Sequence, residues 1–503
     1  MPPLPLTDRL LRSWLRCRRR AWLDCFGPPQ QRQWNAHRAL ALHDQLRSFQ
    51  TILPRRPGHG EAACAAGAPG VLGLRLRGTT AGGLSVEAHP SLLERLPGSS
   101  RWGDHAYGPV LARQGRRVTR EHRLLLALWG RLLADHQQAP VSHGLVLSGA
   151  DACLERERLP LSSGLMHQLD DSLARLAQDL DRRTPPPLVS DRKKCTLCSW
   201  RSLCDTEARA EGHLSEVSGI GGKRRELLLE QGITSLAQLA AADPLTLGEA
   251  LAVHGEQHRE VAAQLVAQAR IQATGHGRRL AAGPALPELG TAPGVLLYDI
   301  ESDPDARDDF LHGVLRLQRL PDGGWPDPEL AAAAAAAGTA GGYHPLLALQ
   351  EHGEERLWRR LRTLLQRYPD WPVLHYGETE AIGLLRLAER QGVSEQERAA
   401  LRRRLVDVHQ RLRRHWLLPV NSYGLKAVAG WLGFAWSQKG VDGARCLLWW
   451  RQWRWHRAQR RGRLAALPLQ RIFRYNLDDS LATWQVAHWL LDQDAADPLP
   501  PAS

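Results

Sequence analysis

Five side chains in the second half of the sequence have the types and spacing of a metal site. Asp299 and Glu301 stand two positions apart in VLLYDIESDP, behind an apolar and aromatic run that predicts a β-strand. Glu380 follows a second strand-like run in PVLHYGETE, and Tyr475 precedes Asp479 by four residues in FRYNLDDS, where the last helix is expected to begin. Two divalent cations in one site need several carboxylates from different segments to offset their charge. The set indicates such a site, in which an activated water is the nucleophile and no Ser or Cys is required.

Each of these patterns is common by itself, so alternatives stay open. A DxE sequence at the end of a strand is often only a solvated strand terminus. Asp478 stands beside Asp479 and leaves the register uncertain by one residue, although the spacing from Tyr475 favours Asp479. Asp407, in RRLVDVHQRL, is expected to be a structural carboxylate rather than a ligand.

The order of the motifs resembles the DEDD exonucleases of the ribonuclease H-like fold, the DnaQ-type superfamily, and is most similar to the YprB-type domain. The resemblance implies hydrolysis of phosphodiester bonds with Mg²⁺ or Mn²⁺, in the 3′ to 5′ direction. It implies that Asp299 bridges two metals, that Glu301 and Asp479 complete the shell of one, and that Glu380 supports the other. Tyr475 would orient the attacking water. Glu380 departs from the family pattern, which has Asp there, and this moves the carboxylate outward by about one methylene.

Four cysteines form a second candidate site in the first half of the chain. Cys195, Cys198 and Cys204 cluster in CTLCSWRSLC, and Cys17 lies near the other end of the same region. Four thiolates satisfy either tetrahedral zinc or a 4Fe–4S cluster, and a compact group with a distant partner suits a staple that closes a domain.

This arrangement resembles the RecB-type nucleases with an iron–sulfur staple, in which one cysteine precedes the nuclease core and three follow it. The resemblance favours a 4Fe–4S cluster, with zinc as the alternative. It also implies a histidine, strand carboxylates, a lysine, and a Gln-xxx-Tyr pair in the core. The matching positions are eroded, so we expect this domain to keep the scaffold without the hydrolytic site. His43 could be the histidine, whereas the departures stand at Ser91, Leu111, Arg113, Leu125 and Trp129.

The stretch VSGIGGKRRELLLEQGITSLAQLAAADP is typical of a helix-hairpin-helix. Its glycine turn exposes backbone N–H groups at a helix start, where phosphate is attracted by unpaired donors and by the helix dipole. The expected nucleic-acid contacts are Gly219, Gly221, Gly222, Lys223 and Arg224. Some hairpins of this kind serve only for protein packing, and that alternative stays open.

A tryptophan- and arginine-rich stretch, WWRQWRWHRAQRRGR, is a further candidate contact for nucleic acid. It spaces Arg451, Arg454 and Arg457 along one helical face. Arginines hold phosphates, whereas indoles stack on unpaired bases or fill a core. We expect the arginines to reach nucleic acid and the tryptophans to be core residues.

Charge and hydropathy limit the class of protein. The 503 residues carry 66 Lys and Arg against 53 Asp and Glu, a net charge of +13, which favours a polyanionic partner, although a GC-rich genome would give the same excess of arginine. The sequence predicts no membrane span, and the N-terminal leucines are interrupted by charges too early for a signal peptide, so a cytoplasmic protein is expected. The sequence contains no GxxxxGK[ST] loop, so any ATP-driven unwinding would need a separate helicase.

Altogether the sequence predicts an α/β multidomain protein. The predicted parts are a RecB-like (PD-(D/E)XK-type) α/β domain at 1–211, a small helix-hairpin-helix domain at 212–272, a linker at 273–293, a ribonuclease H-like mixed α/β domain at 294–495, and a tail at 496–503. The whole order resembles a bacterial family of RecB-like nucleases with a YprB-type C-terminal domain.

The function expected from this order is that of a metal-dependent nuclease, exonucleolytic by analogy, acting on DNA or RNA. The alternatives are an inactive scaffold that binds nucleic acid and a regulator that responds to oxidation of the cysteine-bound cluster.

Overall fold

The computed structural model describes most of the chain: residues 5–113, 117–149, 154–189, 192–304, 308–336, 342–349, 353–459 and 462–496. The expected tail lies almost wholly outside these residues. The chain divides into two units, Met1–Glu207 and Ala208–Ser503. Among the described residues, no helix combines the length and the apolar character needed to cross a bilayer.

The first unit combines helices with two β-sheets. Its strands are β1 (Leu6–Thr7), β2 (Gly58–His59), β3 (Gly70–Leu72), β4 (Leu76–Thr79), β5 (Ser85–Ala88), β6 (Leu92–Ser100), β7 (Gly103–Arg113), β8 (His143–Ser148) and β9 (Glu155–Pro160). Its helices are α1 (Asp8–Arg16), α2 (Arg18–Phe26), α3 (Ala36–Ile52), α4 (Gly60–Ala65), α5 (Arg120–Gln137), α6 (Ser163–Leu180) and α7 (Arg201–Ala210), which contains the boundary.

The larger sheet of this unit is mixed, with the strand order β2-β3-β6-β7-β8-β9. Strands β7 and β8 are parallel, and α5 connects them, as a parallel pair requires. The apolar run of α5 is buried almost throughout, from Leu124 to Leu133, because it packs in the main core of the unit. The mixed α/β architecture agrees with the prediction.

The second unit begins with four helices: α8 (Gly222–Glu230), α9 (Leu236–Ala241), α10 (Pro244–Ala252) and α11 (Glu256–Thr274). Gly232 follows α8 with a φ of +74°, a left-handed conformation that suits glycine and ends the helix. The Ser235 side chain accepts from the N–H of Gln238 and caps α9. The helical character of this segment is therefore confirmed.

The remainder of the unit is a mixed α/β domain, here called the C-terminal domain. Its strands are β10 (Arg278–Arg279), β11 (Gly294–Asp303), β12 (Asp308–Gln318), β13 (Tyr343–Leu347), β14 (Val373–His375), β15 (Leu405–Asp407) and β16 (Trp416–Leu417). Its helices are α12 (Pro328–Ala336), α13 (Gly353–Arg367), α14 (Glu378–Arg390), α15 (Glu395–Arg404), α16 (Val408–His415), α17 (Leu425–Trp431), α18 (Gly443–Ala458) and α19 (Gly462–Ala496).

The main sheet of the C-terminal domain has β11 at its centre, in the order β13-β12-β11-β14-β15. Strand β11 is antiparallel to β12 and parallel to β14. Its side chains alternate between two cores: Val295 and Leu297 face the core that contains α19 residues, whereas Leu296 and Tyr298 face the other. Asp299 continues the first series, so the alternation directs it toward α19.

Residues 273–293, expected to be a linker, comprise the end of α11 and a segment that joins the C-terminal domain. Strand β10 pairs with β16, and Arg279 forms an ion pair of 2.8 Å with Asp494. Ala285, Leu286 and Leu289 are buried in the domain core. The composition predicted a linker because the segment has few apolar side chains and they follow no helical or strand period. These three buried anchors are nevertheless enough to fix an irregular segment.

Candidate metal site of the C-terminal domain

Three carboxylates from two elements converge beside the central strand. Asp299 and Glu301 project from β11, and Asp479 projects from α19. One oxygen from each side chain lies within 4.8 Å of the others, and in the described part of the chain no other group of three or more His, Cys, Asp or Glu side chains meets this condition. Glu301 is only 7% exposed. Oxygen ligands at this density, in a buried position, suit a divalent cation.

Asn476 holds two of these carboxylates in place. Its amide nitrogen donates to Asp299 at 2.6 Å and also hydrogen bonds to Glu301, while its oxygen accepts from the Tyr343 hydroxyl at 2.8 Å. This close approach requires Gly313 on β12, because a Cβ there would lie 1.7 Å from the Asn476 oxygen. The sequence reasoning missed Asn476, although its position directly after Tyr475 was a usable signal.

The structure resolves the register of the two adjacent aspartates on α19. Asp479 accepts from the Trp436 indole at 2.6 Å and from Tyr475, one helical turn earlier. Asp478 points elsewhere and accepts from the backbone and the hydroxyl of Ser437 at 2.9 and 2.7 Å. Asp479 is therefore the residue that joins the acidic group.

Glu380 lies close to the group but outside the tight triad. It is in the first turn of α14, which begins after Gly377 at a φ of +111°, and its Oε2 is buried without a hydrogen-bond partner among the described residues. Asp407, at the end of β15, caps α16 and accepts from the Gly377 N–H at 3.1 Å. Asp407 is thus the structural carboxylate that was expected.

The acidic residues raise one another's pKa values. Burial raises the pKa of Asp299 and of Glu301 well above the ordinary range, and the negative charge of Asp479 adds to the effect on both. Burial raises the pKa of Asp479 to about 6 and that of Glu380 to about 7. Charge repulsion of this kind is relieved by a bound cation, so the site is electrostatically prepared for metal.

Lys426, on α17, is the cation that sequence reasoning missed. Its ammonium group donates to the Val441 carbonyl at 2.5 Å and lies 4.9 Å from the Tyr475 ring centre and 5.7 Å from that of Trp436. Its charge lowers the pKa values of Glu301 and Asp479. The lysine itself is largely exposed, so it stands at the open side of the acidic group.

The comparisons with known proteins bear on this part of the chain. A family model of the RNase_H superfamily matches residues 330–491. The C-terminal domain is RNase H-like. The matched segment contains Glu380, Tyr475 and Asp479 and begins after the strand with Asp299 and Glu301. No curated protein matches the chain. The RNase H-like assignment and the acidic triad are consistent with a nuclease that uses Mg²⁺ or Mn²⁺ on nucleic acid.

The arginines and tryptophans of α18, in the RNase H-like domain, differ in burial. Some make buried structural contacts, and others lie at the surface. Arg451 forms a largely buried ion pair with Asp303 at 3.1 Å. Arg454 lies within electrostatic reach of Asp308, and the exposed Arg457 lies 5.2 Å from the Trp453 ring centre. Phe310, Trp450 and Trp453 form a buried stack, with ring centres 4.6 and 4.8 Å apart. The expectation that the tryptophans are core residues is confirmed for Trp449, Trp450 and Trp453.

The hairpin glycines adopt a turn that precedes α8. Gly219 has a φ of +91°, and its carbonyl accepts from the Arg224 guanidinium at 2.7 Å. Gly221 is the N-cap of α8 and offers no side-chain acceptor to the first-turn N–H groups. Gly222 begins the helix, and Lys223 is exposed beside it.

The four predicted cysteine ligands share one neighbourhood in the first unit. Burial, together with the charges of Cys198, Cys17 and Cys204, raises the pKa of Cys195 to about 11. Burial also raises the pKa values of Cys17 and Cys204, and a hydrogen bond with Arg19 opposes this at Cys204. The thiol set is compatible with a soft metal centre.

The positions matched to the RecB-type catalytic motifs carry no acidic group in the described structure. His43 is about half exposed beside Asp44, at 3.8 Å. Leu111 and Leu125 are core residues, and the buried Trp129 donates to Asp8 at 2.8 Å. That this domain has lost a RecB-type site stays a prediction, which rests on the inability of apolar side chains at these positions to bind magnesium.

The raised pKa values predict how metal-free protein responds to pH. In the unfolded chain, Asp and Glu have pKa values of about 3.9 and 4.3, below the folded values of Asp479 and Glu380. The unfolded chain therefore releases these protons first, and stability is lost as the pH rises from about 4 to about 7. Thermal unfolding in EDTA should show this decline.

Glu380→Gln should remove part of the decline, raising stability at about pH 8 by up to about 3 kcal/mol and much less at about pH 5. Glu378→Gln is the matched control, because Glu378 is an exposed residue in the same helical turn. Equal pH profiles for wild type and Glu380→Gln would contradict the prediction.

Proposed function

We propose that the C-terminal domain is a metal-dependent nuclease that hydrolyses phosphodiester bonds of DNA or RNA at the site of Asp299, Glu301 and Asp479. The observation that carries the proposal is the convergence of these three carboxylates beside the central strand of an RNase H-like domain. Buried carboxylates that repel one another are costly in a protein unless a cation binds between them.

The roles follow from the geometry and from the DEDD-type resemblance. Mg²⁺ or Mn²⁺, when bound, would supply a water of lowered pKa and charge stabilisation for in-line displacement. The charges of Asp479, Glu301 and Glu380 all act on Asp299, which would suit a bridging ligand. Glu380, with one unpartnered buried oxygen, would serve a second metal. Tyr475, fixed by its hydrogen bond to Asp479, would orient the attacking water.

Substrate contact would come from basic groups and free backbone donors. The α8 N-terminus with Gly219, Gly221, Gly222, Lys223 and Arg224 suits the phosphate backbone, because its N-cap uses no acceptor side chain. Arg457 on α18 is exposed and Arg454 is half-buried, whereas the ion pair with Asp303 gives Arg451 a mainly structural role. Exonucleolytic cleavage from 3′ to 5′ is proposed by analogy.

The test is cleavage of oligonucleotides labelled at either end. Single-stranded and duplex DNA and RNA would be incubated with Mg²⁺ or Mn²⁺. We expect a ladder that shortens stepwise from the 3′ end on at least one substrate, and none with EDTA. Folded wild type that binds every substrate and cuts none would replace the proposal with the inactive scaffold. Products shortened from the 5′ end or cut internally would keep the nuclease and reject the analogy.

For the first unit we propose a RecB-type scaffold, inactive as a nuclease, stapled by a 4Fe–4S cluster on Cys17, Cys195, Cys198 and Cys204. The four thiols influence one another's pKa, which supports a common ligand. The choice of a 4Fe–4S cluster over zinc rests on the RecB-type resemblance.

A 4Fe–4S staple predicts that the protein is coloured and that both its colour and its stability depend on Cys195. Anaerobically purified protein should be brown and contain iron and acid-labile sulfide in equal amounts. Cys195→Ser should remove the colour and lower the unfolding temperature, because the staple joins distant parts of the unit. Cys25→Ser is the control, since Cys25 lies outside the electrostatic group of the four thiols. Colourless protein that contains zinc would establish the zinc alternative.

A further inference from the structure

A second site of a different kind opens in the first unit, beside the N-terminus of α1. It is a cleft of about 520 Å³, within the roughly 300–1,000 Å³ of small-molecule pockets. Thr7, Arg9, Arg32 and His89 are among its lining residues. Thr7 caps α1 by accepting from the Leu10 N–H, so the positive end of that helix also faces the cleft.

The arginines around this cleft outnumber the charges that balance them. Arg9 and Arg32 line it, and Arg20 and Arg38 lie within electrostatic reach of Arg9. Burial lowers the pKa of Arg9, and repulsion from Arg38 and Arg32 lowers it further, against the opposing effect of Asp24. In the described structure, the guanidinium groups of Arg9, Arg20 and Arg38 form no hydrogen bond or ion pair.

The two carboxylates that line the cleft are engaged by other groups. Asp24 accepts from the Trp200 indole at 2.9 Å and from the Ser13 hydroxyl at 2.7 Å, in addition to its ion pair with Arg32 at 3.1 Å. Asp8 accepts from the His89 N–H and from the Trp129 indole. These bonds satisfy the carboxylates. Arg32 spends one contact on Asp24, whereas the guanidinium groups of Arg9 and Arg38 have no partner among the described residues and are available to a ligand.

We propose that this cleft binds a phosphate group of a nucleic-acid strand, held by Arg9 and Arg32 with support from Arg38. Guanidinium groups match phosphate oxygens, and the volume admits a nucleotide rather than a bare ion alone. The assignment of the phosphate to nucleic acid rests on the proposed function. The binding of an anion in the cleft is independent of that function, because the cleft lies in the other unit and needs no metal.

The cleft is built on the segment that carries the predicted cysteine ligands. Trp200, between Cys198 and Cys204 in the sequence, donates to Asp24, and the Arg32 guanidinium lies 5.9 Å from its ring centre. The Gln33 N–H donates to the Ser199 carbonyl at 2.8 Å. The cysteine segment therefore positions Arg32 through Asp24 and Trp200.

The test is binding of labelled single strands to full-length protein in EDTA, by fluorescence anisotropy over a range of salt concentrations. Arg9→Gln/Arg38→Gln should weaken binding about tenfold at moderate salt and make the slope of log K against log salt shallower by about one. Arg158→Gln/Arg175→Gln is the control, because it removes the same charge from exposed positions of the same unit. The unfolding temperature of each variant would be measured alongside.

Strands with a 5′-phosphate, with a 5′-hydroxyl and with a 3′-phosphate separate the sources of the ligand. If Arg9→Gln/Arg38→Gln loses affinity only for strands with one kind of phosphorylated end, the cleft binds a terminal phosphate. If it loses affinity equally for all strands, the cleft binds the phosphate backbone. Wild-type affinity in Arg9→Gln/Arg38→Gln, or an equal loss in the control pair, would overturn the proposal. Since no cleavage is measured, failure of the nuclease assignment would leave this result unaffected.

Discussion

Replacing Asp299 by Asn is expected to lower metal-dependent cleavage by at least about a thousandfold, which is the loss expected when a two-metal site loses its central carboxylate. The substitution keeps the size of the side chain, and its oxygen can still accept from Asn476. Because Asp299 lies in a buried group of like charges, the neutral side chain should also raise the unfolding temperature of metal-free protein near neutral pH.

Asp478→Asn is the matched control for Asp299→Asn, because it makes the same change beside Asp479 at a carboxylate bound to Ser437. We expect it to retain most of the cleavage activity. A variant with Asp299→Asn that cuts at the wild-type rate would mean that another site is responsible, such as the first unit. Loss of activity in both variants, with normal folding, would mean that the register assigned to α19 is wrong.

Replacing Lys426 by Met is expected to lower cleavage by about a hundredfold, the usual effect of removing one group that stabilises developing negative charge. Lys426 is held by the Val441 carbonyl and the Tyr475 ring at the open side of the acidic group. There its charge would meet a substrate phosphate. Because the lysine also repels cations, Lys426→Met should bind Mn²⁺ at least as tightly as wild type.

Measuring both cleavage and Mn²⁺ binding of Lys426→Met separates a role of the lysine in substrate binding from a role in holding metal. Lys439→Met is the control, since Lys439 is exposed and belongs to the segment between α17 and α18. Lys426→Arg should keep part of the activity, because it keeps the charge. Weaker Mn²⁺ binding in Lys426→Met would contradict the assignment of this lysine to the phosphate.

The sequence could predict the acidic site because its members lie in regular elements. Strand alternation puts Asp299 and Glu301 on one face, and the helical repeat puts Tyr475 beside Asp479. Lys426 could not be found in this way, since α17 is short and only the fold brings it to Tyr475. The convergence of β11 and α19 is likewise a property of the sheet order.

Charged residues were harder to assign than apolar ones. The tryptophans of α18 were expected in the core, and the stack with Phe310 confirms this. Arg451 was expected at nucleic acid, but its partner Asp303 comes from β11, 148 residues earlier in the chain, and no local pattern indicates that pairing. The segment 273–293 was expected to be a linker for a related reason, because its buried residues have no regular spacing.

We propose that the triad of Asp299, Glu301 and Asp479 binds the metal that supports cleavage. The most direct test is a single Mn²⁺ titration of metal-free wild type and Asp299→Asn, with bound metal and cleavage of an end-labelled oligonucleotide measured in the same samples. Cleavage by wild type is expected to rise with the amount of metal bound, and Asp299→Asn is expected to lose both metal binding and cleavage. Cleavage by the variant, or metal bound to wild type without any cleavage, would contradict this proposal.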